Sequence, residues 1–234
     1  IRSGSNDFHG GGFFTYTDDS LTGDRTRTRN VNLNFDSKQY GGNISGPIIK
    51  DKLFFMLAYE KTEESTPFNL GVGPGFGAQI PGVSLAQIDQ VSAIAQSVYG
   101  YDTQGILQNG IEEDEKFIGK LDWNIADGQR ASLTYIRNVG NRQFQQNTFD
   151  TVPFAIGLRS NGYELLEEVN TGVFQLNSEW SSNYSTEFRA SYRDYNRDQT
   201  PFGGREFGQF EVCLDPTSIN AGSNTGISCG GSRV

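Results

Sequence analysis

Residues 42–61 read GNISGPIIKDKLFFMLAYEK, and this stretch narrows the possible folds more than any other. Two apolar runs flank Lys50-Asp51-Lys52, a charged turn with room for nothing but a hairpin. In the first run Ile44, Gly46 and Ile48 share one side of an extended backbone, with Asn43, Ser45 and Pro47 on the other. In the second, Leu53, Phe55, Leu57 and Tyr59 oppose Phe54, Met56, Ala58 and Glu60. Successive side chains of a strand point to opposite faces, so this alternation belongs to a strand whose two faces meet unlike surroundings. What those surroundings are decides the fold.

The same period recurs along the chain. Residues 7–18 place Phe8, Phe14 and Tyr16 on one parity, and Gly10, Gly11 and Gly12 mark a bulge or a close backbone approach there. In 116–126, Phe117, Gly119, Leu121, Trp123 and Ile125 alternate with polar neighbours; Asp127-Gly128 is a hairpin turn, and 130–138 returns with Ala131, Leu133 and Tyr135 on one face. Residues 169–181 and 184–197 form a third hairpin around Ser182-Asn183, with Phe188 and Ala190 on one side and Glu187, Arg189 and Arg193 on the other. Residues 19–37, 62–83 and 139–168 read as loops, and after Gln199 no period is visible. The exception to the strands is 84–99, where Leu85, Ile88, Val91, Ile94, Ala95 and Val98 recur at helical spacing behind a capping Ser84 and before Gly100.

Connections alternate long, short, long, short, long, short, long. In an up-and-down sheet every short turn then falls at one rim and every long loop at the other, an asymmetry typical of transmembrane barrels. Composition agrees: only 35% of residues are hydrophobic, yet the 234-residue chain holds 17 Phe, 10 Tyr and 29 Gly. That is thin for a two-sided soluble core and suited to a wall that is greasy outside and wet inside. No apolar run reaches the roughly 18 residues of a spanning helix, but a β-span needs only about 9–11. Trp123, Trp180 and Tyr184 fall near the short turns and, with Tyr192, are read as an aromatic girdle. The expectation is an all-β, antiparallel, up-and-down transmembrane barrel segment of about seven strands, with long external loops and one short loop helix. The competing fold is a secreted, soluble β-sandwich that binds carbohydrate, with Arg189 and Arg193 paired inside a core.

Chemistry-bearing residues are few. The net charge of −9 and the lack of a basic stripe argue against nucleic acid. His9 is the sole histidine, so no catalytic set or histidine metal site is visible, and neither an enzyme nor a cofactor is expected. The run Glu112-Glu113-Asp114-Glu115 reads as a solvated loop edge rather than a calcium site, because no spaced ligand pattern accompanies it. Gly71-Val72-Gly73-Pro74-Gly75 lacks the Lys and Ser/Thr of a phosphate loop. Cys213 and Cys229 pair in an oxidising compartment, stabilising by about 3 kcal/mol, or remain a free reactive pair. Loop aromatics and charges, namely Phe68, Phe76, Phe144, Phe149, Phe154, Arg159 and Tyr163, are the candidates for ligand contact, since rings stack on sugars or aromatic ligands and Arg grips carboxylates.

Several stretches resemble the Oar-like branch of the TonB-dependent outer-membrane receptors. SGSNDFHGGGFF is similar to the junction of that family's plug with its barrel, and GGNISGPIIKDKLFFMLAYE to its second and third strands, with Ser45 where Gly is commoner. VSAIAQSVYGYD resembles a helical loop insertion, LNSEWSSNYSTEFRASYRDYNRDQTPFGG a later hairpin, and EFGQFEVCLDPTS with the following SC a cysteine-bearing loop. The resemblance implies a plugged barrel of about 22 strands in the outer membrane of a Gram-negative bacterium. It also implies uptake of a scarce nutrient (siderophore, oligosaccharide or peptide) driven by TonB, with outer-membrane lipid, the chain's own plug and TonB as partners; an adhesion or secretion role in the same family is the alternative. On this reading 1–6 end the plug, 7–198 are barrel with the helical insertion at about 84–99, and 199–234 form an external loop. The plug and the TonB-contacting segment would lie outside this stretch.

Overall fold

A computed structural model describes residues 4–23, 25–26, 29–30, 34–206, 208–214, 219–220 and 227–234. Apart from three two-stranded ladders of two residues each, the strands are β1 (His9–Asp18), β2 (Asp36–Ile49), β3 (Leu53–Pro67), β4 (Asn109–Ala126), β5 (Gln129–Phe144), β6 (Tyr163–Ser181) and β7 (Tyr184–Pro201). They form one antiparallel sheet in sequence order, each strand bonded to the next, and the sheet does not close on itself. Among the described residues no second sheet packs across it, which removes the sandwich.

Short turns therefore share one rim and long loops the other. At the short rim Asp51 takes φ 64° and Gly128 φ 72°, the left-handed geometry that tight reversals require. The register slips there, between Pro47 and Ile49, Asn124 and Ala126, and Glu179 and Ser181. In contrast, β1 and β2 pair without a slip, so Gly10, Gly11 and Gly12 make no bulge. At Gly10 and Gly12 themselves a Cβ would stand 3.2 Å from Asn43 O and 3.4 Å from Gly41 O; the tighter approaches lie on the partner strand, where the rings of Phe8 and Phe13 cover Gly46 and Gly41 and a Cβ at either would stand 2.5 and 2.9 Å from ring carbon.

Strands reach further toward the loop rim than the alternation predicts. β3 runs to Pro67, β4 begins at Asn109, β5 reaches Phe144, and β6 begins at Tyr163. The acidic run is consequently not a loop edge but part of β4, where Glu112 meets Arg142 at 3.3 Å and Glu115 meets Arg137 at 3.0 Å. Backbone pairing continues wherever a neighbouring strand offers partners. Alternation does not, because at this height both faces are polar.

The loops are not loose excursions. Val72, Ile80, Ile88, Ile156 and Leu158 form a buried cluster, joined by Leu70, Val83, Ile106, Phe154 and Val234. Two connections, β3–β4 and β5–β6, and the stretch after β7 contribute to it. The helix α1 (Leu85–Tyr99) supplies Ile88, Val91 and Ala95 to the buried side and leaves Leu85, Ile94, Val98 and Tyr99 exposed. Ser84 and Gln87 form a reciprocal capping box, and Gly100 ends the helix in the left-handed region. Ser84→Ala is expected to cost about 1 kcal/mol, read as faster amide exchange in the first turn of α1 with the strands unaffected.

A disulfide joins Cys213 to Cys229. Next to it, 232–234 form the middle of a small ladder: Ile156 N–H donates to Arg233 O at 3.2 Å, and Val212 N–H to Val234 O at 2.7 Å. The Ser232 hydroxyl reaches Pro81 O at 2.9 Å, so the segment closes over the cluster.

Candidate functional site

Register sorts the wall into two faces. On one, Phe188, Leu176, Ala131, Trp123 and Leu53 lie in line, followed by Ala190, Phe174, Leu133, Leu121 and Phe55, then by Tyr192, Gly172, Tyr135, Gly119 and Leu57. Most of the large side chains in these rows are exposed, Phe188 at 58% and Leu133 at 51% among them, while Leu53, Phe55 and Leu176 are half-buried. An exposed apolar band of this extent has no place in water; it matches a lipid-facing surface.

The opposite face is polar. Arg189 donates to Gln175 Oε1 at 3.0 Å and lies 3.6 Å from Glu187, while Lys120 pairs with Asp122 at 2.9 Å. Phe188 and Arg189 thus part to unlike faces, as a wetted lumen demands. His9 shares the parity of Ser45, Met56 and Lys120 on this side.

Aromatics edge the apolar face at both heights. Toward the short turns stand Trp123, Trp180 and Tyr184, with Trp180 Nε1 donating to Thr186 at 2.9 Å. Tyr192 does not belong with them: it lies eight residues along β7 from Tyr184 and marks the other margin. There it continues a line of Tyr16, Tyr40, Tyr59, Phe117 and Tyr135. Relative to strict register this line steps two residues toward the short turns between Tyr16 and Tyr40, again to Tyr59, and again between Phe117 and Tyr135. Strands inclined at about 40° make a membrane plane slip roughly one residue per strand, which is the drift this staircase shows. Above it, the same face turns polar at once: Arg137 bridges Glu115 at 3.0 Å and Glu168 at 3.1 Å, and the Tyr135 hydroxyl donates to Asn170 at 2.7 Å.

At the mouth, the seven candidate ligand residues part company. Phe144 and Tyr163 are strand ends, not loop residues; they pair in register and stack at 5.0 Å and 18°. Arg142 lies 5.2 Å from the Phe144 centroid, so that ring contacts a neighbour above and beside it and is poorly placed to receive a ligand. Arg159 sits 5.4 Å over Phe202. Phe76 is buried against Gly71, and Phe154 packs on the loop cluster. Phe68 covers Gly110, and Phe149 pairs with Ala155 and stays half open. Asn147, Asn161 and Phe210 were not legible as mouth residues, because only the folded loops bring them together.

At the short rim residues 4–7 leave the plane of the sheet. A Cβ on Gly4 would stand 2.7 Å from Phe54 Cβ and 3.1 Å from Gly46 O, so the chain crosses β2 on the polar side. Asn6 holds it there: its Nδ2 donates to Asp51 Oδ1 at 2.6 Å, and its Oδ1 accepts from Asp51 N–H at 2.8 Å.

A family model described as "Outer membrane beta barrel domain" matches residues 1–74. No curated protein matches the chain. No solved structure matches it either. With the apolar band and its aromatic margins, the match makes this the β-barrel wall of a protein of the Gram-negative outer membrane, with its apolar face in lipid.

Proposed function

We propose that this wall belongs to a TonB-dependent receptor of the Oar-like kind, which captures a scarce nutrient at the cell surface and passes it inward. The observation that carries the reading is the path of residues 4–7. The chain reaches β1 from the polar, lumen side, held by Asn6 on the first short turn, which is where a body seated inside the barrel would join the wall. The resemblance of SGSNDFHGGGFF to a plug–barrel junction supports the same reading, as does the packed cap of loops at the mouth. Mechanistically, the loops would bind the nutrient and a plug would rearrange when drawn from the periplasm. The full-length protein is expected to be retained, in detergent, on the immobilised periplasmic domain of TonB from its own host. Wild-type protein that passes through as freely as an unrelated porin would end the proposal.

A further inference from the structure

We propose that the cleft between α1 and residues 208–212 binds a neutral glycoside, an apolar aryl or alkyl group carrying a sugar. The cleft has two continuous parts. The larger, about 560 Å³, is an apolar groove between Val91, Ile94, Ala95 and Tyr99 of the helix and Phe210 and Val212. The smaller, about 60 Å³, opens beside it and shares Val91 and Gly208–Phe210 as walls. An apolar chamber of several hundred Å³ meeting a few convergent polar groups is the usual form of a small-molecule site.

The polar part sets the chemistry of the head group. Asn147 and Asn161 line it, both half-exposed, and neither carboxamide makes a hydrogen bond among the described residues. Each can donate and accept at once, the pattern a sugar hydroxyl matches. Thr103 stands beside them, its hydroxyl spent as a donor to Ser92 at 2.7 Å and its lone pairs left to accept. Arg233 also faces the notch but is paired with Glu211 at 3.0 Å, so an anionic head would have to displace a carboxylate already in place. A neutral polyhydroxyl head meets no such competitor, and the groove offers its apolar remainder ring and methyl surface.

The site rests on the loops standing outside the cell and does not require TonB. Saturation-transfer NMR on the full-length protein in lipid nanodiscs tests it, with phenyl β-D-glucopyranoside as probe and benzyl alcohol and methyl β-D-glucopyranoside as its halves. The whole probe is expected to bind about tenfold more tightly than either half. Ile94→Asp, at the half-exposed rim of the groove, should abolish transfer to the phenyl ring. Val98→Asp, exposed on the same helix but outside the groove, should leave it intact. Asn161→Ala should weaken the whole probe several-fold and leave benzyl alcohol unchanged. A glucoside no tighter than benzyl alcohol, equal behaviour of the two aspartate variants, or tighter binding of benzoate than of the glucoside would each overturn the assignment. Retention on TonB without glucoside binding would defeat this site alone; the reverse would defeat only the uptake reading.

Discussion

Leu133→Arg is expected to lower the folding free energy of the full-length barrel in lipid by about 2–4 kcal/mol, the cost of a guanidinium near the bilayer midplane. Leu133 stands between Leu121 and Phe174 in the middle row of the apolar face, one row from Tyr135 and one row from the Ala131–Trp123 pair. An arginine there can reach water only by stretching past Tyr135 or toward Trp123. Its neighbour in sequence gives the control. Ser132 lies on the polar face opposite Asp122 and Gln175, and Asp122 Oδ2 is buried without a hydrogen-bond partner. Ser132→Arg would bring a donor to that oxygen, so its expected effect is under about 1 kcal/mol. Urea titration of both variants in lipid vesicles, followed by the heat-resistant folded band on a gel, separates them. Equal losses would mean that the apolar rows do not face lipid.

The pair also shows why part of the fold was legible and part was not. Ser132, Leu133 and Thr134 alternate because lipid lies on one side and water on the other, and this contrast made each strand visible near the short turns. Farther along β5, Asn138, Gly140, Asn141 and Arg142 stand above the Tyr135 margin, where both faces are wet. The hydrogen-bond ladder persists there without a signature in side chains, so the acidic run in β4 and the Phe144–Tyr163 pair looked like loop. Helix α1 was legible because Ser84, Gly100 and the spacing of Leu85, Ile88, Val91 and Ala95 are local signals that need no tertiary context, whereas the part Gln87 plays in the cap appears only in the structure. The loop cluster was not, since Val72, Ile80 and Ile156 come from segments too short and too far apart to show a period, and nothing local says that the face of α1 carrying Ile88 packs on them. For the same reason Phe76 and Phe154 read as ligand-facing aromatics when they are packing residues, and the Asn147–Asn161 notch was not visible at all.

Replacing both Cys213 and Cys229 by Ser is expected to loosen the cap and spare the wall. The bridge spans a sequence separation of 16 residues, for which loop-closure entropy gives about 3 kcal/mol. That stabilisation acts where the bridge acts. Residues 212–214 reach the cap through the ladder to 232–234, which in turn pairs with 154–156 and ties to Pro81 through Ser232. Without the cross-link, the amides of Leu214, Val234 and Ile156 should exchange on the order of a hundredfold faster, since each 1.4 kcal/mol is a factor of ten. Amides of β5 and β6 should not change, because their partners lie in the sheet and make no use of the cap. Hydrogen-exchange mass spectrometry on the full-length double variant resolves the two sets of peptides. Faster exchange in the wall as well would show that loops and sheet open as one cooperative unit, while no change in the cap would show that the ladder and the Ile156 cluster hold these loops closed unaided.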